Sequence, residues 1–156
     1  TRVYAYYDLQ QLCATGLTVH KLVQFHSRYK LLLMAHNVVG YKTLGQKVAG
    51  FNAKSGEPIE VFAQSYLLQL MQTLKTIATR RKHTNVLQHI QGYFKKQLSK
   101  TEKEALVSVI MRFNAGYLPL QAPLTLLQHY LQRYPEVYLA SQVYFSPYPE
   151  HMAAVN

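Results

Sequence analysis

Between positions 80 and 96 the chain reads RRKHTNVLQHIQGYFKK, the stretch with the most usable chemistry. Arg80, Arg81 and Lys82 are three consecutive cations, followed by His83, and they stand immediately before an expected helix start. A helix start presents N–H groups and the positive end of the helix dipole, so the arrangement suits a phosphate: amides point outward and arginine adds bidentate contacts. Arg80 and Arg81 also follow a long expected helix, and basic residues at a helix C-terminus are stabilising in themselves. The residues alone support either role.

Further along, Val86, Leu87, Ile90, Phe94 and Leu98 fall at core spacing, which leaves Asn85, His89, Gly92 and Lys96 as a stripe on another face. Asn and His hydrogen-bond base edges or sugars, and Lys meets phosphate. Glycine within a helix costs up to about 1 kcal/mol against alanine, so Gly92 needs a reason: close helix packing, or close approach of a ligand. Eight bases lie between Lys75 and Lys103, with Lys95, Lys96 and Lys100 among them, against one acid, Glu102.

A second candidate is FHSRYKLLLMAH, residues 25–36, where Arg28 and Lys30 precede a run that is apolar on every side. His26 and Lys30 are one helical turn apart on the side of Val23 and Leu33. A cation beside a core needs an anion, which a bound phosphate or carboxylate would supply; alternatively Lys30 reaches back to water along its apolar stem. A third stripe, Gln128, His129, Gln132 and Arg133, reads either as an extension of a binding surface or as a solvated helix face. Thirteen tyrosines and no tryptophan raise base stacking, with Tyr93, Tyr130 and Tyr134 close to the polar stripes.

Catalytic inventory is thin. Glu102 and Glu104 are two residues apart and diverge on a helix, which leaves no carboxylate pair for acid and base work. The seven histidines include no HExxH, and His83 and His89 straddle the expected helix start. Neither a GxSxG elbow nor a phosphate-binding or dinucleotide-binding glycine loop occurs. The reading is of a chain without a complete catalytic or metal motif, and no cofactor is expected. A hydrolytic or phosphotransfer site assembled across helices from His, Arg and Asn remains the enzymatic alternative.

Charge supports a polyanionic partner. Seventeen Lys and Arg against seven Asp and Glu leave +10, so ten cations would lack an internal partner even if every acid were paired. Such an excess attracts nucleic acid, anionic membranes or acidic proteins, or serves solubility. Cys13 is the only cysteine, which excludes an internal disulfide and a thiolate metal cage built from this chain, and the composition suits a reducing cytoplasm. No apolar run approaches a membrane span; residues 31–35 form only a buried helical segment. The sequence begins at Thr1 without an initiator Met, which leaves room for an upstream segment.

The elements that must position these residues are helices, because apolar spacing of three and four continues almost throughout and strand-like alternation is nearly absent. The expected fold is all-α, one compact domain over 1–156 with about seven or eight helices. They fall at 2–14, 18–36 with Thr18 as N-cap, and 38–49, followed by a mobile loop at 50–58. The longest and central helix is expected at 58–79, with Ile59, Phe62, Tyr66, Leu70, Leu74 and Ile77 on one face. Residues 80–83 then interrupt, Thr84 or Asn85 caps a helix to about 98, and Ser99 with Glu102 forms the capping box of another. A further helix spans 123–134, and a short turn follows from Val137.

The chain resembles the YbgA family, a bacterial all-helical domain found alone or C-terminal to thiouracil and thiouridine desulfidase-like domains. The resemblance covers most of the chain. It is carried by FHSRYKLLLMAH, KHTNVLQHIQGYF, PLTLLQHYLQRYP and YLASQVYF, and most specifically by HTNVLQHIQGYF. In the fused relatives an N-terminal domain holds an iron–sulfur cluster through cysteines that have no counterpart here. The resemblance implies an accessory role that engages RNA, tRNA in particular, beside a desulfidase in cis or in trans. Arg28, Lys30, His83, Asn85, His89 and Gln91 match the family's polar motif positions.

Overall fold

A computed structural model describes residues 1–51 and 56–148. Among these residues the protein is all-helical, with eight α-helices, a short 3-10 turn and no strand. The helices gather into two compact units: Thr1–Ile77 together with the segment from Gln142, and Ala78–Ser141. Among the described residues no helix is long and apolar enough to cross a membrane.

The first unit holds α1 (Arg2–Ala14), α2 (Val19–His36), α3 (Val38–Gly50), α4 (Ile59–Lys75) and the 3-10 turn Val143–Phe145. Thr18 caps α2 as its sequence suggests, its side chain accepting from the Lys21 N–H at 3.2 Å. The helix packs against α3, α4 and the 3-10 turn, which is why its Leu31, Leu32, Leu33 and Ala35 are all buried. Asn37 ends α2 and caps α3, its Oδ1 accepting from the Gly40 N–H at 3.0 Å. At Gly40 an added Cβ would lie 2.7 Å from the Thr73 side chain, so glycine lets α3 approach α4. Gln142 is buried and clamps α2 from outside: its Oε1 accepts from Leu31 N–H at 3.2 Å and its Nε2 donates to Ser27 O at 2.8 Å.

Several expected boundaries move. α4 stops at Lys75 rather than 79, and α2, at 18 residues, is the longest helix. Phe62, Tyr66, Leu70 and Leu74 are buried as expected, while Ile77, beyond the helix end, is 78% exposed. Its spacing fitted the apolar face, but the face ends where the backbone leaves the helix at Thr76. Of the loop expected to be mobile at 50–58, residues 52–55 lie outside the described residues, and Gly50 belongs to α3.

The second unit holds α5 (Arg80–Tyr93), α6 (Lys100–Asn114), α7 (Gln121–Arg133) and α8 (Val137–Ala140). Here α6 packs against both α5 and α7 around Val86, Leu87, Ile90, Leu106, Ile110, Phe113 and Leu127. The Ser99 and Glu102 capping box forms in full, with N–H to oxygen distances of 3.2 and 2.7 Å. α6 ends at Asn114 and the chain turns away at Gly116, whose φ of +89° is the left-handed conformation glycine tolerates, and the Tyr117 N–H returns to Arg112 O at 2.9 Å.

Candidate nucleic-acid interface

Residues 80–83 do not interrupt a helix; they are the first turn of α5. The N-cap is Thr79, neither Thr84 nor Asn85: its backbone is extended, its side chain accepts from the Lys82 N–H at 3.3 Å, and its carbonyl takes the His83 N–H at 2.9 Å. Thr84, one turn further on, is buried inside the helix, with Oγ1 at 2.9 Å from Arg80 O and 3.1 Å from Asn114 Oδ1. The C-terminal explanation for the arginines therefore fails, because residues 76–79 separate them from α4. Instead Arg80, Arg81 and Lys82 occupy a first turn that contains no acid. Each cation there opposes the helix dipole by about 0.3–1 kcal/mol at an exposed site.

The three cations do different things. Arg80, although exposed, folds back onto its own unit: Nη1 donates to Phe113 O at 2.6 Å and to Leu118 O at 3.0 Å, and the guanidinium lies 4.6 Å from the Phe113 ring centroid. It ties the end of α6 to the start of α5. Arg81 is exposed, and Lys82 is half-buried. His83 sets its ring edge-on to Phe113, at 6.4 Å between centroids.

Along α5 the buried positions are Thr84, Val86, Leu87 and Ile90, which leaves Arg81, Asn85, Gln88, His89 and Gly92 on the exposed side. Gln91 is half-buried beside them. The whole helix carries no Asp or Glu. Gly92 has nothing within 4 Å of where a Cβ would stand, so close helix packing does not explain it. Tyr93, the last residue of α5, stacks on Tyr138 of α8 with centroids 5.6 Å apart and planes 21° from parallel, and His89 meets its edge at 5.9 Å. Burial pushes the Tyr93 hydroxyl pKa up, with a smaller push from Glu136. That carboxylate caps α8, accepting the Leu139 N–H at 2.9 Å.

α5 stops at Tyr93 rather than near 98, and Phe94 and Leu98 remain buried in the turns that follow. Lys95 and Lys96 project from this connection, and Lys100 opens α6; all are exposed. Arg133, on α7, pairs with Glu102 Oε1 at 2.5 Å and lies 5.2 Å from the Tyr134 ring centroid. The Glu102 pKa is held below the ordinary carboxylate range, first by the Ser99 N–H and also by Arg133.

The first-unit candidates are answered from within. Arg28 pairs with Asp8 of α1 at 2.8 Å, and the Tyr29 hydroxyl donates to the same oxygen at 3.0 Å, so the anion expected beside this cation is a carboxylate of the chain. Lys30 is half-buried nearby in sequence. His26 is buried, with Nδ1 2.9 Å from the Tyr66 hydroxyl and its ring stacked on Tyr41 at 5.2 Å. Its Nε2 has no hydrogen-bond partner, and burial pulls the imidazole pKa down to about 4. Among the described residues no group of three or more His, Cys, Asp or Glu is placed to hold a metal.

Sequence reasoning missed Tyr138 as the partner of Tyr93 and the inward turn of Arg80. Neither leaves a spacing signal, because both contacts join helices distant along the chain.

An all-helical protein with a basic, acid-free helix face is the class these features define. The family described as "Protein of unknown function (DUF1722)" matches residues 30–149. "Uncharacterized protein YbgA" of Escherichia coli (strain K12) is 36% identical over 148 residues, covering 95% of this chain and 86% of the relative. The chain belongs to this YbgA family. No solved structure matches it.

Proposed function

We propose that the protein binds RNA, tRNA in particular, through the exposed face of α5 and the lysines that follow it. The observation that carries this reading is the first turn of α5, where Arg80, Arg81 and Lys82 are placed against the helix dipole with no acid among them. Arg80 gains carbonyl contacts from that placement, but folding gains little from the exposed Arg81, whereas a phosphate at the same end would be held by the dipole, by backbone amides and by Arg81. The second unit has nine Lys and Arg against only Glu102, Glu104 and Glu136, which supplies the surrounding field. tRNA, and a desulfidase as the system served, follow from the YbgA family resemblance; the residues by themselves favour phosphate.

Fluorescence anisotropy with bulk tRNA across a salt series tests the reading. If about five phosphates are neutralised, affinity falls about 10²- to 10³-fold between about 50 and 200 mM salt. A flat salt response, or no binding at low salt, would overturn it. Bulk tRNA with and without thiouridine, compared in the same series, tests the link to thiolated bases.

A further inference from the structure

We infer that the α5 face selects unpaired nucleotides over duplex, with the Tyr93 and Tyr138 pair as a stacking platform for a base. The inference rests on the RNA-binding reading and specifies which form of RNA the site takes.

Arg81, Asn85, His89 and Tyr93 follow one another at intervals of four, so they form a slowly turning stripe about 18 Å long at 1.5 Å per residue. Their chemistry changes along it: a guanidinium for phosphate, an amide and an imidazole able to read a base edge or a ribose hydroxyl, then an aromatic surface. Lys95 and Lys96 stand just beyond, so cations bracket the neutral, base-reading part. A duplex-binding surface needs mainly the cations. Amide, imidazole and aromatic groups on the same stripe become useful when bases are splayed out and offer their faces and edges.

Two details point to the aromatic end. First, the near-parallel stack with Tyr138 and the edge contact from His89 hold the Tyr93 ring in one plane, so little side-chain freedom is left for a ligand to remove. Tyr93 and Tyr138 are both only half-buried, which leaves part of the pair open to solvent. Second, Gly92 sits directly before Tyr93 on the exposed side with open space where a Cβ would be. An alanine there would clash with nothing and would suit a helix better. Glycine at this position makes sense if a ligand comes up against the backbone beside the ring.

The test uses a short single-stranded RNA carrying 2-aminopurine and a duplex of the same length. The protein has no tryptophan, so the base analogue can be excited selectively. The expected results are tighter binding of the single strand than of the duplex and quenching of the analogue on binding. Tyr93→Leu is expected to lower single-strand affinity by about 5- to 100-fold, the range for one base–aromatic stack, and to abolish quenching while leaving the salt slope intact. Because Tyr93→Leu could disturb α8, Gly92→Ala serves as the second variant. It should weaken single-strand binding several-fold with melting temperature unchanged or raised. Salt-dependent binding that is equal for single strand and duplex, with both variants like the parent, overturns this inference and leaves the RNA-binding reading standing. No binding of either RNA at low salt overturns both.

Discussion

The two units treat their polar residues in opposite ways. In the first, polar groups are consumed internally: Asp8 holds Arg28 and Tyr29, Tyr66 meets His26, Gln142 clamps Ser27 and Leu31, and His36 Nδ1 donates to Thr76 O at 2.8 Å. In the second, the polar side of α5 is turned outward, and the unit's cations outnumber its acids nine to three, against eight to four in the first. Glycines repeat the contrast, since Gly40 has Thr73 against it and Gly92 has open space. A buried polar group must be paired to be tolerated, so polar residues in a core report on folding. An exposed stripe under no such obligation reports on what the surface meets.

The contrast can be broken most directly by moving charge. Replacing Arg81, Lys95 and Lys96 together with Ala should weaken tRNA binding by at least about tenfold at low salt and reduce the salt slope by about three contacts, measured by anisotropy. The same number of replacements in the first unit, at Lys21, Lys42 and Lys75, should cost far less. Equal losses would mean diffuse attraction and no distinct interface.

Arg80 sharpens the distinction within one run of cations. Arg80→Ala removes hydrogen bonds to two carbonyls and the contact with Phe113, so it should destabilise the fold by about 1–2 kcal/mol, read by denaturant unfolding. Arg81→Ala, one residue along and outside those carbonyl contacts, should stay within about 0.5 kcal/mol of the parent in stability while losing RNA affinity. Similar stability losses in the two would contradict the different roles assigned to them.

Acid should act on the first unit through His26. Its folded pKa of about 4 lies below the ordinary 6.5, so the unfolded chain binds the extra proton first as pH falls. The contribution of this group is therefore fully present above about pH 6.5 and is lost progressively down to about 4, in total on the order of 2 kcal/mol after allowing for water near the ring. His26→Asn, which does not titrate, should show a shallower loss of stability across that window. An unchanged slope would mean that other groups dominate.

The glycine pair gives effects of opposite sign, the smaller of them at Gly92. Gly40→Ala drives a Cβ into the buried Thr73 side chain, which is β-branched and already bonded to Gln69 O at 2.8 Å, so it should cost about 1–3 kcal/mol. Gly92→Ala should leave stability unchanged or raise it by up to about 1 kcal/mol. Thermal melts of the two variants suffice.

Much of this architecture was legible locally. Helical class, most of the core faces of α4 and α5, the Thr18 cap and the Ser99 and Glu102 box are set by neighbours within one or two helical turns, and spacing reads such interactions directly. The end of α4 and the start of α5 were misplaced because Thr79, Thr84 and Asn85 are all able to cap. Which one does so depends on Thr84 being buried against Asn114, thirty residues away. The Arg80 contacts with Phe113 and Leu118, the Asp8 partner of Arg28, the Gln142 clamp and the Tyr93 and Tyr138 stack belong to the same group. The sequence by itself determined the helices, the excess of positive charge and the run that carries most of it. Only the tertiary structure decided which cations are spent on carbonyls and carboxylates of the chain and which face outward, because that choice depends on contacts between residues far apart along the chain.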